Sequence, residues 1–346
     1  MNKIIFGENV FDRLNKTIAK NSYSKVFVLL DENTKRHCLP ILKKYLTEFI
    51  TIKIKSGEGN KNIDTATFIW ETLHKNFADR QSVLINLGGG ALSDIGGFCA
   101  SAFLRGIDFI NVPSTLLSMV DASIGAKQGL NLRNYKNVIG VFNHPKCIFV
   151  YPDFIKTLAE SELKNGLAEI VKHALIADKK LWNKIYKIKK FDTDNLSKLI
   201  LSSIRIKSKI TTKDPHEFGL RKVLNYGHTI AHAIETFSMN NDGNNFLKHG
   251  EAVAIGIVCE SYISHKINKF PLIDLNLIVS FIKKHFKKYH CRWDEILLIK
   301  NMSHDKKNNS RKINFTLLNS IGDPIVNCNC TDELICESLN YYKNAF

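Results

Sequence analysis

A run of glycines between an apolar strand and a helix constrains the fold of this chain more than any other feature. Residues 82–87 are mostly apolar and predict a buried strand, and Gly88 to Gly90 follow directly. The small residues after them have helical character. Strand, glycine turn and helix together are how α/β proteins set backbone N–H groups around a phosphate, with Asp94 placed to meet a polar ligand group. The spacing differs from the usual dinucleotide fingerprint and no P-loop lysine follows, so a plain tight turn remains the alternative at this point.

Short strands alternate with helices over roughly the first 150 residues. Strands are predicted at 26–30, 49–54, 82–87, 108–112 and 147–151. This alternation predicts a Rossmann-like domain with a mainly parallel sheet covered on both faces. Ligands of such sheets bind at the carboxyl ends of the strands, where Asp31, Glu58 and the glycine stretch all fall.

From about residue 155 the pattern changes to long helical stretches. Their expected limits are 160–177, 194–212, 221–236, 250–267 and 274–287, with one β-like patch at 313–318. A chain of 346 residues is long enough for two cores. We therefore predict a nucleotide-binding α/β domain over 1–154 and an all-α domain over 155–346, with a site in the cleft between them.

Composition limits the classes of partner. The formal net charge of +16 raises the question of nucleic acid, but the lysines are scattered in short pairs, which a bias towards Lys, Asn and Ile explains at least as well. No apolar run approaches the roughly 20 residues of a membrane span, and the start lacks the apolar core of a signal peptide. The eight cysteines are dispersed without a C-x-x-C pair. We expect a cytoplasmic protein without nucleic-acid or membrane partners.

Polar side chains recur at helical spacing in the second half. Arg221, Asn225, His228 and His232 follow one another at offsets of four, three and four, which places them along one face of the predicted helix 221–236. A solvent face usually carries Lys and Glu rather than two histidines, so the pattern favours metal and anion binding over that alternative. His249 opens the next predicted helix with a further imidazole.

A carboxylate and an ammonium lie three residues apart in an otherwise apolar helical stretch. Glu169 and Lys172 form an ordinary surface pair in one interpretation, but their apolar neighbours indicate a covered helix. One carboxylate and two imidazoles make a catalytic zinc set that leaves a position open for substrate. Glu169, His228 and His249 would supply that set.

The stretch between the two halves carries many polar groups. A loop that holds polar ligand atoms would use side chains such as Ser114, Thr115, Asp121 and Lys127. Lys136-Asn137 adds two more polar side chains of this kind. Each of them alone is ordinary loop chemistry. Their number is what indicates a binding site.

In combination, these motifs resemble the 3-dehydroquinate synthase family, a group of sugar phosphate cyclases, over nearly the whole chain. The segments that carry the resemblance are Gly88 to Phe98, Leu104 to Gly106, Val112 to Lys127, Lys136-Asn137, Leu167 to Lys172, Gly219 to Arg221, Leu224 to Thr229 and His249 to Val253.

The resemblance implies the fold of that family and an NAD- and zinc-dependent cyclase, with Co²⁺ as an alternative metal. The expected substrate is 3-deoxy-D-arabino-heptulosonate 7-phosphate. Transient oxidation, phosphate elimination, reduction, ring opening and intramolecular aldol closure would give 3-dehydroquinate, a step of the shikimate pathway. Arg105 matches an arginine that reaches the phosphate site of a neighbouring subunit, which implies a homodimer.

The resemblance also assigns roles residue by residue. The implied NAD contacts are Asp31, Asn33, Glu58, Lys61, Gly90, Ala91, Leu92, Ser93, Asp94, Ser114, Thr115, Lys127, Lys136, Phe154, Ile155, Lys156 and Thr157. The implied metal ligands are Glu169, His228 and His249. The implied substrate and phosphate contacts are Asp121, Lys127, Asn137, Lys172, Lys207, Arg221, Asn225, His232 and either Lys306 or Lys307, with Arg105 from the neighbouring subunit.

Several positions depart from the family pattern. Ala126 stands where glycine is common, Gln128 where threonine is usual, and Tyr135 in place of a small residue. None removes an implied ligand or cation, so they bear on substrate affinity more than on reaction type.

Three other functions remain open from the sequence. One is another NAD- and zinc-dependent sugar phosphate cyclase. The retention of Lys207, Arg221 and Asn225 favours dehydroquinate synthases over those cyclases. The second is a metal-dependent polyol or glycerol-phosphate dehydrogenase, which would not need the phosphate-binding cations. The third is a basic nucleic-acid binder with a structural metal, whose binding would weaken steeply with salt.

Overall fold

The computed structural model describes residues 3–133, 135–243, 246–289, 294–303 and 313–346. The chain divides into two compact units, Met1–Leu163 with Asp192–Ser208, and Lys164–Phe191 with Lys209–Phe346. The first unit thus takes in a segment after residue 190 that the sequence pattern assigned to the second domain. The domain limits at 154 and 155 stay a prediction.

A parallel sheet forms the centre of the first unit. The strands of this unit are β1 (Lys3–Phe6), β2 (Val26–Leu30), β3 (Ile50–Lys53), β4 (Val83–Gly88), β5 (Asp108–Pro113), β6 (Lys127–Leu132), β7 (Tyr135–Phe142) and β8 (Cys147–Val150). Within the described residues, six of them form one sheet in the order β1-β8-β5-β4-β2-β3, and every pairing in it is parallel. β6 and β7 form a separate antiparallel hairpin. β4 is buried along its whole length, as its apolar sequence predicts for a strand covered on both faces.

Helices follow the strands and cover the sheet. They are α1 (Val10–Asn21), α2 (Glu32–His37), α3 (Leu39–Leu42), α4 (Ile63–Lys75) and α5 (Gly90–Ala102), with 3₁₀ turns at Glu58–Asn60, Phe103–Arg105 and Pro152–Thr157 and a π-helical turn at Ser118–Ala122. The core between sheet and helices includes Phe27 and Leu29 of β2, Ile69 of α4 and Ile95 of α5. The predicted α/β fold of this half is confirmed.

The second unit is mainly helical. The remaining helices of the chain are α6 (Glu160–Ala177), α7 (Lys179–Lys187), α8 (Thr193–Lys213), α9 (His228–Asn241), α10 (His249–Asn268), α11 (Leu272–His285), α12 (Glu295–Ser303) and α13 (Asp332–Ala345). Among the described residues of this unit, one antiparallel hairpin, β9 (Phe315–Ser320) and β10 (Asp323–Cys328), interrupts the all-α pattern. None of the helices in the described ranges is long and apolar enough to cross a membrane.

One predicted helix is wrong in its extent. The stretch 221–236 divides into a 3₁₀ turn, Leu220–Asn225, and α9, which begins only at His228. Gly227, between them, has a φ of +80°, a left-handed conformation that ends helical continuity and that glycine adopts readily. Arg221 and Asn225 therefore do not share one helical face with His228 and His232.

Candidate functional site

The first unit has a topological switch point between β2 and β4. The chain continues from β2 to its neighbour β3 on one side and from β4 to its neighbour β5 on the other, so the connections after these two strands lead in opposite directions. Ligands of open α/β sheets bind in the crevice at such a point. Asp31 follows β2 and accepts a hydrogen bond from Thr34 N at 2.8 Å, which caps α2. The glycine turn follows β4, as predicted.

The glycines let neighbouring side chains approach the backbone of the turn closely at this crevice. A Cβ on Gly89 would lie 3.2 Å from Thr115 Cγ2, and one on Gly90 would lie 2.9 Å from Ala122 Cβ. α5 begins at Gly90 with no side-chain cap, so its first N–H groups are available to an anion. The hydroxyl of Ser93, one turn on, is buried and has no hydrogen-bond partner among the described residues. This combination fits a nucleotide phosphate.

Two later glycines of the same motif serve packing. A Cβ on Gly96 would lie 1.9 Å from Asn86 Oδ1, and one on Gly97 would lie 2.2 Å from Gln128 Oε1. Gln128, one of the departures from the family pattern, is buried on β6 and donates from Nε2 to Asn143 O at 3.3 Å. Its environment is that of a structural residue.

A buried lysine gathers three other predicted residues. Lys61 Nζ lies 2.9 Å from Glu58 Oε1, 3.0 Å from Asp94 Oδ2 and 2.6 Å from Asn137 Oδ1. Burial opposes the ammonium form, but Asp94 and Glu58 outweigh it and raise the pKa of Lys61. Burial raises the pKa of Asp94 to about 6, although Lys61 acts in the opposite direction. Asn137, implied as a substrate contact, thus bonds to a lysine implied as an NAD contact.

A second ion pair of the first unit joins two implied substrate residues. Lys207 Nζ donates to Asp121 O at 2.7 Å and lies 2.6 Å from Asp121 Oδ1. Lys207 belongs to the part of α8 that lies in this unit, which the helical pattern alone could not assign.

The other implied residues of this unit occupy more varied environments. Phe154 and Ile155 are buried in the turn after β8, where Phe154 contacts the rings of Phe11 and Tyr151 at centroid distances of 5.8 and 5.1 Å. Lys156 pairs with Asp153, and Thr157 Oγ1 donates to Phe154 O. Leu92 and Ser114 are buried; Asp31, Gly90, Ala91, Thr115, Lys136 and Thr157 are half-buried; Asn33, Arg105, Lys127 and Lys156 are exposed.

Three potential metal ligands converge in the second unit. Glu169 lies on α6 and is fully buried, while His228 and His249 are the first residues of α9 and α10. Glu169 Oε1 lies 3.2 Å from His228 Nε2 and 3.4 Å from His249 Nε2. Two ligand atoms about 2.0–2.1 Å from a tetrahedral zinc are about 3.3 Å apart, so these spacings match a zinc site.

The far side of each imidazole is held by an oxygen. His228 Nδ1 lies 3.1 Å from Tyr226 O, and His249 Nδ1 lies 3.3 Å from Glu235 Oε2. A hydrogen bond at Nδ1 leaves the Nε2 lone pair for a metal. Both oxygens of Glu169 are deeply buried, and Oε1 faces the Nε2 atoms of both imidazoles. Both observations fit a divalent metal.

Electrostatics at this cluster favour an ionised carboxylate. Burial would raise the pKa of Glu169, but Lys172, with Nζ 2.5 Å from Glu169 Oε2, and His228 outweigh burial and hold that pKa well below its usual range. Burial and the Lys172 charge lower the pKa of His228 to about 3. Burial acts in the same direction on His249, but Glu235 and Glu169 overcome it and raise the pKa of His249 to about 10.

The predicted anion-binding residues of the second unit have different surroundings, and His232 lies beside this cluster. The His232 ring lies 5.4 Å from the His228 ring and 6.2 Å from the His249 ring, by centroids. Arg221 is buried, and its Nη1 donates to Pro215 O at 2.6 Å. Asn225 Nδ2 donates to Glu217 Oε1 at 2.9 Å. Lys306 and Lys307 lie outside the described residues.

Sequence reasoning missed the residues that hold the candidate ligands in place. Glu235 follows His228 by seven residues, two helical turns on the same face, and this spacing could have indicated it. Asn165, four residues before Glu169, accepts from Gly250 N at 2.6 Å and so ties the start of α10 to α6. No local pattern indicates that contact.

Comparison with known proteins gives a consistent result. Residues 51–165 match the model of the 3-dehydroquinate synthase N-terminal domain, and residues 166–308 match that of its C-terminal domain. The chain is 38% identical to a 3-dehydroquinate synthase of Parabacteroides distasonis over 99% of this chain and 98% of the relative. It is 36% identical to one of Leptospira interrogans over 95% and 92%.

Solved structures agree on the fold. A 2-epi-5-epi-valiolone synthase from Streptomyces hygroscopicus, with NAD⁺ and Zn²⁺ bound, superposes with a TM-score of 0.86 at 23% identity, covering 100% of this chain and 98% of the other. A 2-deoxy-scyllo-inosose synthase complexed with carbaglucose-6-phosphate, NAD⁺ and Co²⁺ gives 0.85 at 23% identity over 98% and 96%.

Proposed function

Since the chain belongs to the 3-dehydroquinate synthase family, we propose that it converts 3-deoxy-D-arabino-heptulosonate 7-phosphate to 3-dehydroquinate and phosphate. It is a lyase that needs NAD and a divalent metal. The observation that carries the proposal is the convergence of the buried Glu169 and His228 with the half-buried His249, with both imidazoles oriented by oxygens at Nδ1. Two imidazoles and one carboxylate leave a coordination position for a substrate oxygen.

These three residues would hold the metal. A bound divalent metal acts as a Lewis acid that polarises a coordinated substrate oxygen. Lys172 keeps Glu169 ionised, so the carboxylate is ready to ligate without losing a proton. The Tyr226 carbonyl and the Glu235 carboxylate hold the ring orientation of His228 and His249, which avoids a reorganisation cost on binding.

The crevice after β2 and β4 would hold NAD. Bound NAD accepts a hydride and returns it within one turnover, so it serves as a catalytic cofactor. The uncapped start of α5 would receive the pyrophosphate, with Ser93 and Thr115 beside the glycine turn. Asp31, at the end of β2, would meet a ribose hydroxyl. Lys61 holds Glu58 and Asp94 in place through its two ion pairs.

Fixed cations would bind and orient the anionic substrate. Lys207 is held by Asp121 in the first unit, and Arg221 is held by Pro215 O in the second. Both side chains are buried, so their positions are restricted before substrate arrives. Such restriction removes part of the entropy cost of reaching the reactive geometry. His232 and Asn225 complete this set, with Lys306 carried over from the resemblance alone.

We also propose a homodimer in the cytoplasm. Strand β7 presents large apolar side chains to solvent, among them Tyr135, Val138 and Phe142, and such a surface suits a partner subunit. The partner's phosphate site would then receive Arg105. Cys38, Cys99 and Cys147 are buried free thiols, which suits a reducing compartment. Sedimentation equilibrium of the purified protein tests the dimer, and a monomer at every concentration would refute it.

The test of the activity is phosphate release from 3-deoxy-D-arabino-heptulosonate 7-phosphate by the purified protein with NAD⁺ and Zn²⁺, with and without a chelator. We expect chelator-sensitive release of phosphate with no net accumulation of NADH. Stoichiometric NADH would indicate a dehydrogenase instead. Failure to release phosphate, in a protein that binds NAD and zinc, would reject this substrate.

A further inference from the structure

A buried carboxylate outside the predicted site lies under the start of α9. Glu260, on α10, has no exposed surface. Its oxygens accept hydrogen bonds from Gly227 N at 2.7 Å, Thr229 N at 3.1 Å and Ile230 N at 3.2 Å. A buried charge is costly unless it is fully hydrogen-bonded, and these three N–H groups offset that cost.

These contacts replace a cap that α9 lacks. The residue before α9 is Gly227, which has no side chain to accept from the first-turn N–H groups. Thr229 and Ile230 are the second and third residues of the helix, whose N–H groups a capping side chain normally serves. Glu260 serves them from a neighbouring helix, and its negative charge also suits the positive end of the helix dipole.

Close packing ties the same turn to α10 a second time. A Cβ on Gly256, one helical turn before Glu260, would lie only 1.8 Å from Gly227 O. Ser261 is the residue after Glu260, and its Oγ lies 2.5 Å from the Tyr226 hydroxyl. The turn Tyr226-Gly227 is therefore fixed on α10 from both of its residues.

This turn sets the orientation of one metal-ligand candidate. His228 lies between Gly227 and Thr229, both bonded to Glu260, and its Nδ1 faces Tyr226 O at 3.1 Å. Loss of the Glu260 acceptor would release the N–H groups on both sides of His228 and so loosen the direction of His228 Nε2, even with the turn still packed on α10. We propose that Glu260 is a positioning residue of the metal centre, acting on His228 through the backbone of α9; the inference rests on the proposed metal site.

The test is metal binding by the Glu260→Gln variant of the full chain. The amide keeps size and shape but places an NH₂ group against backbone N–H groups, so at least one acceptor is lost. We expect Zn²⁺ affinity, measured by competition with a chromophoric chelator, to fall about 10–100-fold, the usual effect of a lost outer-shell partner. The visible absorption of the Co²⁺-loaded protein should change as well, since it reports the geometry of the ligands.

Two matched variants separate positioning from general destabilisation. Asp178 also accepts from a first-turn N–H group, that of Leu181 at 2.9 Å, but at the start of α7. Asp178→Ala should lower the unfolding temperature and leave Zn²⁺ affinity and the Co²⁺ spectrum unchanged. Glu260→Asp keeps the charge on a stem too short to reach all three N–H groups, so it should lose Zn²⁺ affinity, though less than Glu260→Gln does; it also serves if the Gln variant does not fold.

Wild-type Zn²⁺ affinity and Co²⁺ spectrum in a folded Glu260→Gln or Glu260→Asp variant would overturn the inference. Equal loss of affinity in Asp178→Ala would overturn it too, because the effect would then be one of stability. Zinc affinity is measured without turnover, so this test is independent of the reaction. If the protein binds zinc through His228 but releases no phosphate, the proposed reaction is rejected and this inference still holds.

Discussion

Ala126 is a buried residue whose φ of +63° lies in the left-handed region. An L-residue with a Cβ is strained there, whereas glycine is not. The departure from the family pattern at this position therefore has a physical cost in this chain.

We expect Ala126→Gly to stabilise the protein by about 1 kcal/mol, because the relief of strain exceeds the added backbone entropy of the unfolded chain. Chemical unfolding would measure it. Ala100→Gly, in the last turn of α5 and also buried, should instead destabilise the protein by about 1 kcal/mol. A destabilised Ala126→Gly variant would show that the left-handed strain is not significant.

His249→Ala should abolish metal-dependent turnover and leave the fold largely intact, since it removes one of three candidate ligands. His265 lies on the same helix, where its Nδ1 contacts Phe270 O at 2.7 Å, and is the matched control. His265→Ala should keep full metal dependence. Unchanged turnover in His249→Ala would remove His249 from the site.

Zinc binding should release about one proton at pH 7. His249, with its pKa raised to about 10, is protonated in the metal-free protein at that pH, whereas His228, with its pKa lowered to about 3, is already neutral. Zn²⁺ affinity should therefore rise with pH, about tenfold per unit up to the pKa of His249. Calorimetry in buffers of different ionisation enthalpy counts the proton; release of none would contradict the charge state assigned to His249.

At the level of single residues, the sequence reaches the candidate ligands but not their supports. Glu169 could be selected because its neighbours in sequence are apolar, and His228 and His249 because histidines are unusual on a solvent face. Glu260 and Asn165 could not, because their roles depend on contacts between helices that no spacing within one helix reveals.

At the level of elements, the strands of the first unit follow from their apolar runs, and most helices from periodicity. The helix predicted at 221–236 failed because periodicity counts side chains and does not detect the left-handed φ of Gly227. The correction changes the interpretation of the site: the start of α9 is the position of a candidate metal ligand, and Arg221 lies in a separate turn.

Gly256→Ala should destabilise the protein by about 1–3 kcal/mol, the usual cost of overpacking, because the new methyl group would collide with Gly227 O. Zn²⁺ affinity should fall in parallel, since α9 would be displaced at His228. Gly59→Ala is the control, because a Cβ there meets nothing within 4 Å. Normal stability and zinc affinity in Gly256→Ala would argue against the rigid joint between α9 and α10.

At the level of the whole molecule, metal binding should raise the unfolding temperature. A ligand at 100 times its dissociation constant stabilises the native state by about 2.7 kcal/mol, so a chelator should lower the unfolding temperature of the wild type. Glu169→Gln should show no response to the chelator. Equal responses in both proteins would place the stabilising metal elsewhere.

The chain's path through its two units has a consequence for how the protein is made. The chain leaves the first unit after Leu163 and returns to it over residues Asp192–Ser208. This returning segment contains Lys207, which pairs with Asp121. A ribosome that has synthesised the whole sheet has thus not yet supplied every part of its domain. During translation, the first unit can be completed only after residues 164–191 of the other unit and then residues 192–208 have been synthesised. A gene split after the sheet would therefore encode a fragment that lacks Lys207, one of the buried cations of this unit.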